Sequence, residues 1–209
     1  MPRAAATTSA AEYLPERLTL PALREAAAGC QGCHLWQVGT QTVFGEGERH
    51  ADVMFVGEQP GDYEDRAGRP FVGPAGKLLD EALHEAGIDR SQVYVTNVVK
   101  HFKWQARGKR RIHQKPNWSE IAACRPWLEA ELEVTEPRVL VCLGATAAQA
   151  LLGRDFRVSR QRGELVESDL AENVIATVHP SSILRADDET RELEYRELVR
   201  DLEKVAALI

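Results

Sequence analysis

Asp52-Val53-Met54-Phe55-Val56-Gly57-Glu58-Gln59-Pro60-Gly61-Asp62 is the stretch that decides the fold. A short apolar run that ends at once in glycine, proline and carboxylates reads as a buried strand feeding a turn. A strand apolar on both faces belongs in a parallel sheet covered by helices on each side. Three further runs have the same character: Val93 to Val99 (VYVTNVV), Arg138 to Leu143 (RVLVCL) and Asn173 to Val178 (NVIATV). Helical patterns lie around and between them. Leu20 to Gly29 reads as a short helix ending at glycine. Pro74 to Gly87 sets Leu78, Leu79, Ala82, Leu83 and Ala86 on one face, and Gly87 stops it. Ser119 to Glu133 is a helix with Ser119 as its N-cap, and Pro126 inside it predicts a break or kink. Ala145 to Leu152 follows Gly144, and Arg191 to Ile209 is amphipathic through Leu198, Leu202, Val205 and Ile209. Strands alternating with helices predict an α/β fold: three layers, α/β/α, around a central, mostly parallel four-stranded sheet.

In such sheets ligands bind beyond the carboxyl ends of the strands. Three of these ends carry polar sequence: Gly57 to Asp62, Thr96-Asn97 with the segment after it, and His179-Pro180-Ser181-Ser182. Topology alone should gather them at one edge. The chain has 209 residues, 44% hydrophobic and 28% charged, with no repeat or linker, which predicts one globular domain over 1–209. Residues 1–12, Ala/Thr-rich and without periodicity, are expected to be disordered. No apolar run approaches the roughly 20 residues that span a bilayer, and the N-terminus lacks an apolar signal region. These features predict a cytoplasmic protein with no membrane partner; a monomer is the default.

The net charge is −6, but it is unevenly spread. Between 100 and 115 stand seven Lys and Arg residues and no acid, so the rest sets nineteen basic residues against thirty-two acidic ones. A basic segment on an acidic body is a footprint for a polyanion. Four cysteines in an apparently cytoplasmic chain point to metal ligation or core thiols rather than disulfides. Cys30-x-x-Cys33 fits a metal site, with a pair of buried thiols as the weaker alternative.

The strand-end residues also carry a resemblance. G-E-Q-P-G-D at 57–62, G-R-P-F-V-G-P-A-G at 68–76, T-N-V-V-K at 96–100 and H-P-S-S-I-L-R at 179–185 together resemble the motif set of the iron–sulfur uracil-DNA glycosylases, family 4. The likeness runs from about Cys30 to Arg185. Gln59 departs from the usual G-E-G/A-P-G, and a basic loop is inserted within 105–115. Its K-R-R-I-H at 109–113 is similar to the signature of the uracil-DNA glycosylase X subgroup, whose members stay covalently attached to the DNA they act on. G-A-T-A-A, F-R-V and A-C-R-P-W extend the match.

The resemblance implies a structural [4Fe–4S] cluster on Cys30, Cys33, His101 and Cys124, with His101 where the family has a third cysteine. Cys142, inside an apolar run, competes as fourth ligand, and zinc in a Cys3His site is the alternative metal. It further implies a uracil pocket: Asn97 to read O4 and N3–H, Phe71 to stack on the ring, and Gln59 and Asp62 nearby. His179 would donate to O2, and Glu58 would stand near C1′. If the basic loop folds over the pocket, His113 becomes a nucleophile for C1′. Lys109, Arg110 and Arg111 would clamp phosphates, with Ser181 and Ser182 on the strand beside the lesion. The substrate would be uracil-containing DNA, single strands included. Two alternatives stay open: a turnover glycosylase in which His113 orients water, and a non-catalytic module that only binds uracil or damaged DNA.

Overall fold

A computed structural model describes residues 9–209. Its core is a five-stranded sheet built from β1 (Val53–Gly57), β2 (Val93–Asn97), β5 (Val139–Leu143), β6 (Leu165–Val166) and β7 (Asn173–Thr177). A separate two-stranded hairpin, β3 (Trp104–Arg107) and β4 (Arg110–His113), stands outside it. Strand order in the sheet is β2-β1-β5-β7-β6, with β2, β1, β5 and β7 parallel and β6 antiparallel on the edge. The expected four strands are thus present, and a fifth is added. Two residues, one of them the largely exposed Leu165, give no sequence signal of a strand. Pairing with the finished β7 makes β6 a strand.

Side chains alternate across the sheet and feed two cores. Met54, Val56, Tyr94, Leu140, Cys142 and Ala176 face one layer, formed by α1 (Leu20–Ala28), α4 (Trp118–Thr135) and α5 (Gly144–Leu152). Val53, Phe55, Val95, Val141 and Ile175 face the other, which includes α3 (Pro74–Glu85), α7 (Pro180–Ile183) and α8 (Asp188–Ala206). The short α2 (Asp62–Ala67) and α6 (Val158–Gln161) flank the strand ends. No helix among the described residues is long and apolar enough to cross a membrane.

Several sequence expectations need correction. Of residues 1–12, the first eight lie outside the described residues. Ser9 caps a 3-10 turn at Ala10–Tyr13, and Ala10 is buried where Gly32 leaves room for its backbone, so 9–12 are ordered. Asn117, not Ser119, caps α4: its side chain accepts from Glu120 N, and the Glu120 carboxylate accepts from Asn117 N. The helix runs unbroken past Pro126. Trp127 and Leu128, buried just beyond it, hold that turn in place by packing, which overrides local propensity. The inserted basic segment is a hairpin with Gly108 in the left-handed region at its tip, φ 59°.

Candidate active site

Between β1 and β5 the chain reverses its direction of travel across the sheet, and at such a point the loops beyond the strands splay apart into a crevice. A cleft of about 930 Å³ opens there. Glu58 and Gln59 enter it from the end of β1, Asn97 from β2, Thr146 from the start of α5 and His179 from the turn after β7. The predicted gathering of strand ends is therefore observed.

The floor is Gly57. A methyl group there would overlap Asn97 Oδ1 and come within 2.9 Å of Phe71 Cζ and 3.3 Å of His179 Nε2. Three side chains of different chemistry thus converge on one bare backbone position. Asn97 is buried at the pocket wall, and its side-chain amide has no hydrogen-bond partner among the described residues, so it is left for a ligand. Phe71 holds φ 54°, a strained value for an aromatic residue, because the chain folds tightly over Gly76, where a Cβ would strike the Phe71 carbonyl. Its ring lies 6.1 Å from that of His179 at 26°. Glu64 fixes both sides of this loop, accepting from Gly61 N at 3.0 Å and from Gly73 N at 2.7 Å.

His179 Nδ1 accepts from Ser181 N at 3.1 Å. The ring proton therefore sits on Nε2, the nitrogen facing the floor. Burial pushes the imidazole pKa down to about 4, against the pull of Glu58, so the ring is a neutral donor at neutral pH. Ser182 Oγ donates to the His179 carbonyl and closes the same turn.

Glu58 bonds to two partners: the Thr146 hydroxyl donates to Oε2, and His113 Nε2 stands 3.3 Å from Oε1. Burial opposes ionisation of Glu58, yet the bonds from His113 and Thr146 and the nearby imidazoles outweigh it and hold the carboxyl below its usual range. Thr146 was not singled out from sequence. Its signal is position: it follows Gly144 at the switch point, beside β1.

His113 is the last residue of β4, opposite Trp104 of β3. The hairpin reaches the cleft because three contacts fix its base and flank. Gln59 Nε2 donates to the carbonyls of Lys103 (3.2 Å) and Gln114 (3.0 Å), and its Oε1 accepts from Lys103 N. Arg111 donates to Asp62, and at 2.6 Å to the fully buried Asp65, and stacks over Phe102 and Trp104 at 5.4 Å each. Trp104 Nε1 donates to the Val38 carbonyl at 2.8 Å. Three expectations change accordingly. The Gln59 side chain is committed to the hairpin. Asp62 is an anchor for Arg111 and Arg66 rather than a pocket group. Arg111 is paired with two carboxylates, Asp62 and Asp65, and so pins the hairpin. Lys109 and Arg110 stay exposed at the tip, and Ser181 and Ser182 line the cleft, where each can meet a phosphate.

The thiols lie on the opposite face of the sheet from α3 and α8. Cys30 Sγ accepts from Trp127 Nε1 at 3.2 Å and from Gly32 N at 3.5 Å, and Cys124 Sγ accepts from Lys100 N at 3.3 Å. Burial pushes the Cys124 thiol up to about 12, with Cys33 and Cys30 near enough to add to the rise. Burial likewise raises Cys33, with Cys30 and Glu120 adding to it. Cys142 sits apart in the sheet beside Val56 and Ala176, raised to about 12 by burial alone, which is the environment of a packing thiol. The Thr42 hydroxyl donates to the Ala27 carbonyl, so His101 Nε2 must be the donor in its 3.0 Å contact with Thr42, leaving Nδ1 with the lone pair. Burial lowers the His101 pKa to about 4, keeping the ring neutral as a ligand must be. Among the described residues no three His, Cys, Asp or Glu side chains converge around the position of a single ion.

Comparison with known proteins agrees with this architecture. A type-4 uracil-DNA glycosylase of Thermotoga maritima is 39% identical over 199 residues, spanning 94% of this chain and 97% of that protein. A second, from Sulfurisphaera tokodaii, is 37% identical over 174 residues, spanning 79% and 76%. The crystal structure of Pedobacter heparinus SMUG2 superposes with a TM-score of 0.55 over 76% of this chain and 77% of that one. At 12% identity it speaks to the fold alone. The family model described as the uracil DNA glycosylase superfamily matches residues 44–203, and with that span and those relatives the chain belongs to this superfamily.

Proposed function

We propose that the chain is a uracil-DNA glycosylase that draws a flipped uracil into the cleft, cleaves its glycosidic bond and keeps the DNA through a bond from His113 to C1′. An enzyme working on a base must take it out of the stack and read its edge. Asn97 answers O4 and N3–H of uracil, Phe71 stacks on the ring, and the Nε2 proton of His179 meets O2. As the C1′–N1 bond breaks, its electron pair leaves on uracil, and His179 stabilises that charge where it develops. The sugar becomes cationic at C1′. Glu58 takes the proton from His113 Nε2, and the electron pair of that N–H bond closes on C1′, leaving a neutral alkylated imidazole beside a protonated Glu58. Lys109, Arg110, Ser181 and Ser182 hold the phosphates of the strand, single or double.

The observation that carries the proposal is the 3.3 Å contact between His113 Nε2 and Glu58 Oε1. Holding a nucleophile at the reacting centre is worth many orders of magnitude in effective concentration. Kinship with the type-4 enzymes favours a second reading, in which Glu58 and His113 direct water to C1′ and the enzyme turns over.

The cysteine donor set fits an iron–sulfur cluster. N–H donors aimed at Cys30 and Cys124 suit thiolates that carry charge. Cys30, Cys33 and Cys124 share one neighbourhood, as the ligands of a cluster must; zinc in a Cys3His site is the alternative metal. Cys30, Cys33 and Cys124 would hold the cluster, with His101 Nδ1 as fourth ligand, and it would supply a staple between the N-terminal arm, β2 and α4.

The test is a uracil-containing single-stranded oligonucleotide run with the protein on a denaturing SDS gel, beside His113→Ser. A heat- and SDS-resistant band lost in the variant is the expected result. Alkali-labile strands without that band support the turnover reading instead. Neither band nor free uracil leaves only a binding module.

A further inference from the structure

Lys100 is a lysine with no access to solvent, in the centre of the molecule, and nothing in the proposed chemistry touches it. Its three ammonium protons are all placed. Nζ donates to Glu131 Oε2 at 2.5 Å, to Thr96 Oγ1 at 2.7 Å and to the Asn97 carbonyl at 2.7 Å. Glu131, equally buried, accepts in turn from Tyr94 Oη, Gly45 N and Thr96 Oγ1, each at 3.0 Å. The backbone N–H of Lys100 donates to Cys124 Sγ. A buried ion pair is often no more stable than apolar residues of the same shape, so stability alone is a poor reason to keep one. What this pair does uniquely is geometric. It grips the peptide of Asn97 from behind, at the strand end where the Asn97 side chain turns into the cleft beside Gly57.

We infer that Lys100 is the positioning residue of the base pocket: its ammonium, neutralised by Glu131, fixes the Asn97 peptide so that the amide meets the uracil edge in one orientation. The inference rests on the pocket proposed above. Lys100 touches no substrate and acts through Asn97. Its main-chain bond to Cys124 makes the same residue the bridge between the thiol group and the pocket, one residue from His101.

The test uses the whole chain, in a Lys100→Met/Glu131→Gln double variant that removes both charges and leaves neither unpaired. Three quantities are measured: the thermal midpoint, affinity for uracil-free single-stranded DNA, and the inhibition constant of free uracil. An inhibition constant does not depend on the fraction of protein that is active, so a merely structural role leaves it unmoved. The expected result is a rise of about tenfold in that constant, with affinity for uracil-free DNA kept. Thr96→Val, a milder change that removes one acceptor of the ammonium, should raise it in the same direction by about threefold and serves if the double variant does not fold. Constants within the error of the parent in whichever variant folds would overturn the inference. Free uracil that fails to inhibit the parent protein would overturn the pocket itself, and this inference with it.

Discussion

Gly57 marks the tightest point of the cleft, where Asn97, Phe71 and His179 meet. Gly57→Ala puts a methyl group where the base must lie. The methyl group also forces Asn97 and Phe71 to shift, so excision should fall at least 100-fold with a smaller loss of thermal midpoint. A steady-state or single-turnover rate beside a melting curve checks this, and retained excision would mean that uracil sits elsewhere. The positions that line the cleft were readable: the strand ends offer Glu58, Asn97 and His179, and the loop before α3 adds Phe71. Which side chain was already occupied was not readable. Gln59, Asp62 and Arg111 have the right chemistry for a base or a phosphate, but each is satisfied by a neighbour brought close only by the fold.

At the scale of elements the hairpin β3–β4 carries His113 to Glu58. Gln59 ties its base, and Arg111 pins its flank to α2 through Asp62 and Asp65. Arg111→Ala should loosen the hairpin without disturbing the pocket floor. Formation of the SDS-resistant species should slow at least tenfold, while uracil release continues at a rate within a few-fold of the parent. Timed gels and uracil assays on the same samples check it; equal loss of both rates would contradict the pinning role. The hairpin was legible in sequence only as a basic insertion, because each four-residue strand has three exposed residues and shows no apolar alternation to read. The parallel strands were legible for the opposite reason: Val53–Gly57 and Val139–Leu143 are buried on both faces and apolar throughout. Pro126 misled because its local cost is absorbed by the packing of α4.

Across the whole molecule an acidic body carries one basic hairpin above a cleft, and the sheet order brings four loops to that cleft. Holding His179 neutral also shapes stability. Its folded pKa near 4 lies below the ordinary 6.5, so between those values the unfolded chain binds more protons than the folded one. Stability should therefore fall as pH drops from 6.5 towards 4, by about 2 kcal/mol from this residue. Urea midpoints across that range, compared with His179→Gln, check it: the variant should lose less, and parallel curves would contradict the assignment. The claim on which the account turns is that His113 becomes bonded to DNA. The direct measurement is the intact mass of the gel-resistant species formed with a uracil oligonucleotide, followed by peptide mapping after nuclease digestion. The account predicts the mass of protein plus oligonucleotide minus uracil, with the deoxyribose remnant on His113. An unmodified protein beside an abasic oligonucleotide, or a remnant on any other residue, would contradict it.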